Sequence, residues 1–354
     1  MKRILHQKRA LEILTAAWRG GRVHHAWIFH GPFGVGKRTT AEAFAAALLD
    51  PDARLNEGGV VEADPGGETA RLVESGTHPD LHVVTKEMAL FSRDPKVRER
   101  KQIVIPAEVI REYLVEPASR SASKQSGARA SKVFIVDEAE RLGADGQNVM
   151  LKTLEEPPPG TVIILVTAHE DRLLPTIRSR CQRVAFTPLP REDMEAWMKR
   201  EGVNVSGDER HWLLRFSQGS PGLARIALKH GFYGWYATLA PMLREIEAGR
   251  YPTSMGAAMA KMVEEFAEAE VKAGQNVSKD AANKAGARFL FTLLAEEVRH
   301  QLHAAVRNGE PVEPHALALE AIRTAERQLE ANANMGLLLD NLAIQWAGAR
   351  QGAA

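Results

Sequence analysis

Gly31-Pro32-Phe33-Gly34-Val35-Gly36-Lys37-Arg38 lies between the apolar run Ala26-Trp27-Ile28-Phe29 and an alanine-rich stretch from Thr40 to Leu49 that holds no helix breaker. All but its last position fit G-x-x-x-x-G-K-[ST], the phosphate-binding loop. Apolar strand, glycine loop and helix is the setting that motif requires. A chance match in a glycine-containing loop would not bring that setting with it. The pattern asks for a Ser or Thr hydroxyl at position 38, to hold Mg²⁺ beside the β- and γ-phosphates. An arginine offers no lone pair there and adds a positive charge. Thr39 comes next, but it is turned by about 100° around a helix and cannot simply stand in. Candidate nucleotide contacts are therefore Gly31, Gly34, Gly36, Lys37, Arg38 and Thr39, on a frame poorly equipped to hydrolyse ATP.

Working outward, residues 81–84, 133–136, 162–166 and 184–186 are short apolar runs that read as strands. Apolar strands alternating with helices predict an α/β fold, a parallel sheet covered by helices on both faces. Residues 1–20 and 105–115 read as helices, and 50–76, rich in Gly, Asp, Glu and Pro, as a loop. Residues 119–131 have almost nothing to bury. Their basic Arg120, Lys124 and Arg129 fit a solvated loop better than a DNA contact. Pro188 and Pro190 mark a boundary, beyond which only helical patterns follow, near 191–201, 208–217, 222–230, 236–248, 255–273, 280–306, 313–331 and 334–350. The expected domains are 1–187, the P-loop domain, then 188–232, a small helical lid, then 233–354, all-helical.

The chain has 354 residues, room for two or three domains. With 26% charged residues and a formal net charge of +1, it lacks the basic footprint of an autonomous nucleic-acid binder. The single cysteine, Cys181, excludes internal disulfides and any multi-cysteine metal site, so no metal centre is expected. That cysteine usage fits a reducing cytosol. The amino terminus is basic and then amphipathic, unlike a signal peptide. No apolar run reaches transmembrane length. The expectation is a cytoplasmic protein with no membrane contact.

Three further positions carry the chemistry. Asp137 ends an apolar strand with Glu138 beside it, where P-loop ATPases keep their Mg²⁺-binding Asp and a water-polarising Glu. A surface Asp-Glu pair closing a strand is the plainer reading, and the upstream P-loop weighs against it. Thr167 ends the next strand and could sense a γ-phosphate, although strand-end threonines are commonplace. Arg180 sits in Ser179-Arg180-Cys181. Its planar fork suits phosphate oxygens, though a lone loop arginine is usually a solvated one. Loops of this kind are expected near the carboxyl ends of the strands.

The neighbours of Arg180 carry a resemblance. Asn148-Val149-Met150-Leu151-Lys152-Thr153-Leu154-Glu155-Glu156-Pro157-Pro158 and Leu173-Leu174-Pro175-Thr176-Ile177-Arg178-Ser179-Arg180-Cys181 resemble the AAA+ subunits of the bacterial DNA polymerase III clamp loader and their replication factor C relatives. His24-His25-Ala26 and His78-Pro79-Asp80-Leu81 fit as well. The likeness covers about residues 5–230, and the remainder matches loosely, as an all-α collar with Asn332-Ala333-Asn334 before its last helix.

The resemblance implies an AAA+ P-loop NTPase-like fold. It also implies a hetero-oligomer with gamma/tau and delta subunits that reaches the sliding clamp and primed DNA through the complex. It casts Arg180 as an arginine finger on a neighbour's ATP. Family ATPases carry an arginine within Gly-Ser-x-Arg. Here Gly219-Ser220-Pro221-Gly222 puts Gly222 at that position, and Arg225 comes nearly one turn late. Losses at Arg38 and Gly222 point to the delta prime branch, a largely non-catalytic scaffold that requires no cofactor. The retained Asp137-Glu138 pair leaves residual ATP or ADP binding open. The family's usual four-cysteine zinc module after the first helix is missing, so no zinc is expected. Two alternatives stay open: an active gamma/tau-type ATPase and an unrelated nucleotide-binding P-loop regulator.

Overall fold

The computed structural model describes residues 4–99, 103–120, 127–273 and 278–351. They divide into two compact units, one holding residues up to Asn204 together with Gln218–Leu223, the other Val205–Ser217 with the residues from Ala224 onward.

The first unit is built on strands β1 (Ala26–His30), β2 (Arg54–Leu55), β3 (Val61–Glu62), β4 (Leu81–Val84), β5 (Lys132–Val136), β6 (Thr161–Thr167) and β7 (Gln182–Ala185). The main sheet runs β4-β5-β6-β1-β7 and is parallel throughout. Its inner strands β1, β5 and β6 read as near-continuous apolar runs because both faces are buried. Along β1, Ala26 and Ile28 join a core with Phe134, Val136, Ile163 and Leu165 on one face. Trp27 and Phe29 join Phe44, Leu48, Ile135, Ile164 and Val184 on the other. Each such side chain, fully buried, contributes about 1.5–3 kcal/mol relative to exposure. The α/β fold expected from the P-loop and the apolar runs, a parallel sheet buried on both faces, is the one observed.

Local differences from the expected elements have local causes. The first helix is Lys8–Arg19, starting later than expected. The second expected helix starts after Pro106, whose ring presets the entry, and runs from Ala107 to Ser119 through a π-helical stretch, Arg111–Val115. Residues 50–76 hold more order than a loop. β2 and β3 form an antiparallel hairpin, and Glu68–Glu74 is a helix. Asn56 Oδ1 accepts from the Gly58 and Val60 N–H groups, and Asp50 Oδ2 accepts from Asp64 N–H at 2.7 Å. Of the basic residues in 119–131, Arg129 stacks its guanidinium over Trp18 at 5.2 Å and Arg120 pairs with Glu116 at 3.8 Å. Lys124 lies outside the described residues.

The second unit is helical: Gly207–Phe216, the latter part of Pro221–His230, Phe232–Glu247, Met255–Ala273, Lys279–Asn308, Glu313–Glu330 and Met335–Gln351. Ser278 caps the longest by accepting from Ala281 N–H, and Gly309 ends it at φ 69°, a left-handed cap that glycine adopts without a Cβ penalty. Leu290, Leu293, Leu294 and Val298 are fully buried here with Leu339, Leu342 and Trp346. Among the described residues no helix is long and apolar enough to cross a membrane.

Candidate functional site

The P-loop follows β1 and leads into helix Lys37–Leu49, whose N-cap, Gly36, is left-handed at φ 99°. Every charged group expected to serve a nucleotide here is bound to its own chain. Lys37, 6% exposed, donates to the carbonyls of Gly31 at 2.7 Å and Pro32 at 2.6 Å. Burial pulls its pKa down to about 8 against the nearby Glu140 and Asp137 charges. Arg38 Nη1 pairs with Asp137 Oδ2 at 2.9 Å, and its Nε pairs with Glu42 at 2.9 Å. The guanidinium therefore sits on the carboxylate that would hold Mg²⁺, and one cation takes the place of the other. Burial pushes the Asp137 pKa up, and Arg38 opposes that.

Glu138 is bound as well. It takes Lys86 at 3.0 Å and Arg141 at 2.8 Å. Burial works to raise its pKa, yet those two cations hold it below the usual carboxylate range. Its backbone is left-handed at φ 50°, a conformation uncommon for a residue with a Cβ. Thr39 is exposed on the helix beside Arg38. Thr167 is buried, and its hydroxyl accepts from His169 N–H at 3.0 Å.

The mouth of the loop is also occupied. Ser220 Oγ donates to Phe33 O at 2.8 Å, and Gly222 N–H donates to Gly34 O at 2.9 Å. A Cβ on Gly222 would lie 2.5 Å from Gly34 Cα, and one on Gly34 would lie 2.4 Å from Ser220 Oγ. Position 222 is thus more than a lost sensor. Its lack of a side chain is what lets this segment close on the phosphate loop.

Arg180 is not near these groups, and the expected placement by the carboxyl ends of the strands is corrected. The loop leaves the carboxyl end of β6 but returns to the amino end of β7. Trp27 pairs with Gln182 and His30 with Ala185, so Arg180 precedes the register that the P-loop follows. At about 3.3 Å per residue, the sheet separates them by roughly 15–20 Å. At this amino edge Arg180 Nη2 pairs with Glu155 Oε1 at 2.7 Å, and Nη1 donates to Thr176 O at 2.8 Å. His25 Nε2 bonds Leu154 O at 2.9 Å beside them.

Cys181 next to it is half-buried, and burial pushes its thiol up to about 12. The thiolate is the reacting species. The thiol should therefore stay unmodified by iodoacetamide at pH 8 over times that fully alkylate the urea-unfolded chain. Equal rates in both states would refute this. Among the described residues no group of His, Cys, Asp and Glu could hold a metal ion.

Sequence reasoning brought Asp137, Arg38 and the segment 219–222 to one site but missed Lys86, Arg141 and Glu140. Arg141 had a signal, since it stands three residues after Glu138, one helical turn on. The bond from Ser220 to Phe33, 187 residues away in sequence, had none.

The family model for the DNA polymerase III delta subunit matches residues 6–190. The DNA polymerase III subunit delta' of Pseudomonas aeruginosa is 34% identical over 205 residues, 57% of this chain and 56% of that protein. Its Escherichia coli counterpart is 31% identical over 222 residues, 62% of this chain and 59% of that one. The chain thus spans a little over half the length of these relatives. DNA polymerase III subunit gamma/tau of Mycobacterium tuberculosis is 30% identical over 224 residues, 62% of this chain and 34% of that protein. Among solved structures, a DNA polymerase III gamma subunit-related protein of Thermotoga maritima is similar at 20% identity and a TM-score of 0.44, over 97% of this chain and 99% of that one.

Proposed function

The chain belongs to the DNA polymerase III delta subunit family, and we propose that it is a delta prime-type clamp-loader subunit, a largely non-catalytic AAA+ scaffold. It works in a hetero-oligomer with gamma/tau-type and delta-type subunits that loads the sliding clamp onto primed DNA. The observation that carries the non-catalytic reading is the Arg38–Asp137 pair at 2.9 Å, an internal cation on the Mg²⁺-binding carboxylate. Lys37 on its own loop carbonyls and Ser220–Gly222 across the loop support it. With the Asp137 carboxylate and the Lys37 ammonium both engaged by the chain's own groups, the groups that supply most of the electrostatic stabilisation of phosphoryl transfer are tied up. The purified chain should therefore turn over ATP at no more than background, with or without primed DNA. Turnover typical of a clamp-loader ATPase, abolished by Lys37→Ala, would favour the gamma/tau reading instead.

In this reading residues 1–187 are the P-loop domain, 188–232 a small lid and 233–354 the collar that assembles with partners. The stripe Leu290, Leu293, Leu294 and Val298 fills the unit's own core. Surface for partners comes instead from residues such as Leu337, 71% exposed, and Ile344, 55% exposed, two helical turns apart on the last helix. A chain ending near residue 232 should fail to enter a reconstituted complex. Entry at full affinity, seen by size-exclusion chromatography, would remove the collar from the proposal.

Arg180 is the residue this chain contributes to catalysis, as an arginine finger reaching a neighbour's ATP. Its own P-loop lies at the opposite edge of the sheet and has no use for it.

A further inference from the structure

Glu155 is the last residue of helix Ala144–Glu155, and Pro157 and Pro158 follow. A carboxylate is the unfavourable charge at a helix C-terminus, where the macrodipole is negative and a cation is preferred. The fold supplies that cation in Arg180, with Nη2 on Glu155 Oε1 at 2.7 Å. The same guanidinium caps a second helix end, with Nη1 on Thr176 O at 2.8 Å. His25 Nε2 bonds Leu154 O of helix Ala144–Glu155 at 2.9 Å. Arg180 is therefore held between two helix ends, and both pairing side chains are partly open to solvent, 35% for Arg180 and 48% for Glu155. A phosphate brought to Arg180 from outside meets a guanidinium already paired with a carboxylate.

We propose that Glu155 is a positioning residue that parks Arg180 in the unliganded chain and yields it to a phosphate of the neighbouring subunit's nucleotide. This rests on the reading of Arg180 as a finger. The two anions compete for one guanidinium, so Glu155 lowers the apparent affinity for the incoming phosphate without taking part in the transfer. Its effect belongs in KM and not in kcat. The Thr176 carbonyl carries no net charge and does not compete in this way, so it keeps the fork oriented during the exchange.

The test uses the complex reconstituted with the gamma/tau-type and delta-type subunits of the same organism. Its DNA-stimulated ATPase is measured against ATP concentration. Glu155→Gln keeps the shape and an acceptor oxygen but removes the charge. Exposed ion pairs of this kind are weak, so KM for ATP should fall by about two- to fivefold while kcat is unchanged. The same change in an Arg180→Ala background should have no effect on KM, which a purely structural role for Glu155 would not predict. An unchanged or higher KM for Glu155→Gln, or a lower kcat, overturns the proposal while leaving the finger in place. If Arg180→Ala itself leaves the ATPase unchanged, the finger reading fails, and the parking role fails with it.

Discussion

Arg180→Ala should leave the chain folded and the ring assembled, yet lower both the DNA-stimulated ATPase and the clamp loading of the reconstituted complex. Arginine fingers contribute about 10³–10⁵-fold in well-studied phosphoryl transfers. In the proposed complex the loss in total ATPase should be smaller, because only the site next to this chain would lose its finger. If every site must fire, loading should fall by more than the total ATPase does, at least about tenfold, which is about 1.4 kcal/mol. Arg180 is a surface group with one ion pair and one carbonyl bond. Removing it should cost the fold little, since exposed pairs contribute roughly 0–1 kcal/mol. Arg180→Lys should recover only part of the activity, because a lysine keeps the charge and loses the planar fork. Loading at the wild-type rate by the Arg180→Ala complex would return this arginine to the status of a helix-capping surface residue.

The second large effect concerns Gly222. Writing arginine there, as the family's ATPases have it, looks like a repair of the sensor. The expected result is damage. The new Cβ would meet the Gly34 Cα at 2.5 Å and the Gly34 carbonyl oxygen at 3.2 Å, backbone atoms that cannot rotate away. Overpacking typically costs about 1–3 kcal/mol, occasionally more, and backbone against backbone belongs at the upper end. At about 2–4 °C per kcal/mol for a unit of this size, the melting transition should drop by roughly 6–12 °C. Gly222→Ala should show most of the same loss, which separates the steric cause from the added charge. If Gly222→Arg melted with the wild type and bound ATP tightly, the segment 219–222 would be a movable lid and not a closed one.

Much of the frame was legible in the sequence because strand burial is a short-range property. Residues 133–136 and 162–166 are uninterrupted apolar runs, mostly β-branched, and they form β5 and β6 with one extra residue or two at the ends. The long helices of the second unit were legible for the analogous reason, long spans without Gly or Pro clusters. The hairpin β2–β3 was not, since two-residue strands with exposed or half-buried side chains leave no periodic signal. At the site, Lys37, Arg38, Asp137 and Glu138 could be read from motif positions. Their pairing could not. Arg38 and Asp137 are 99 residues apart and Lys86 and Glu138 are 52 apart. Such ion pairs depend on how the sheet orders its strands, which is a property of the whole unit. The edge on which Arg180 emerges was misjudged for the same reason: a loop's starting strand says where it leaves, not where it returns.

The hairpin has a consequence for the conditions under which the chain can fold. This chain closes the stretch from Asp50 to Asp64 with Asn56 and Asp50 accepting backbone N–H groups, and with an Arg54–Asp64 ion pair at 2.9 Å. None of these bonds draws on an ion from the medium or on the oxidation state of a thiol. The closure is made by the segment's own side chains and backbone, so it answers to whatever competes for hydrogen bonds and ion pairs, denaturant and salt among them.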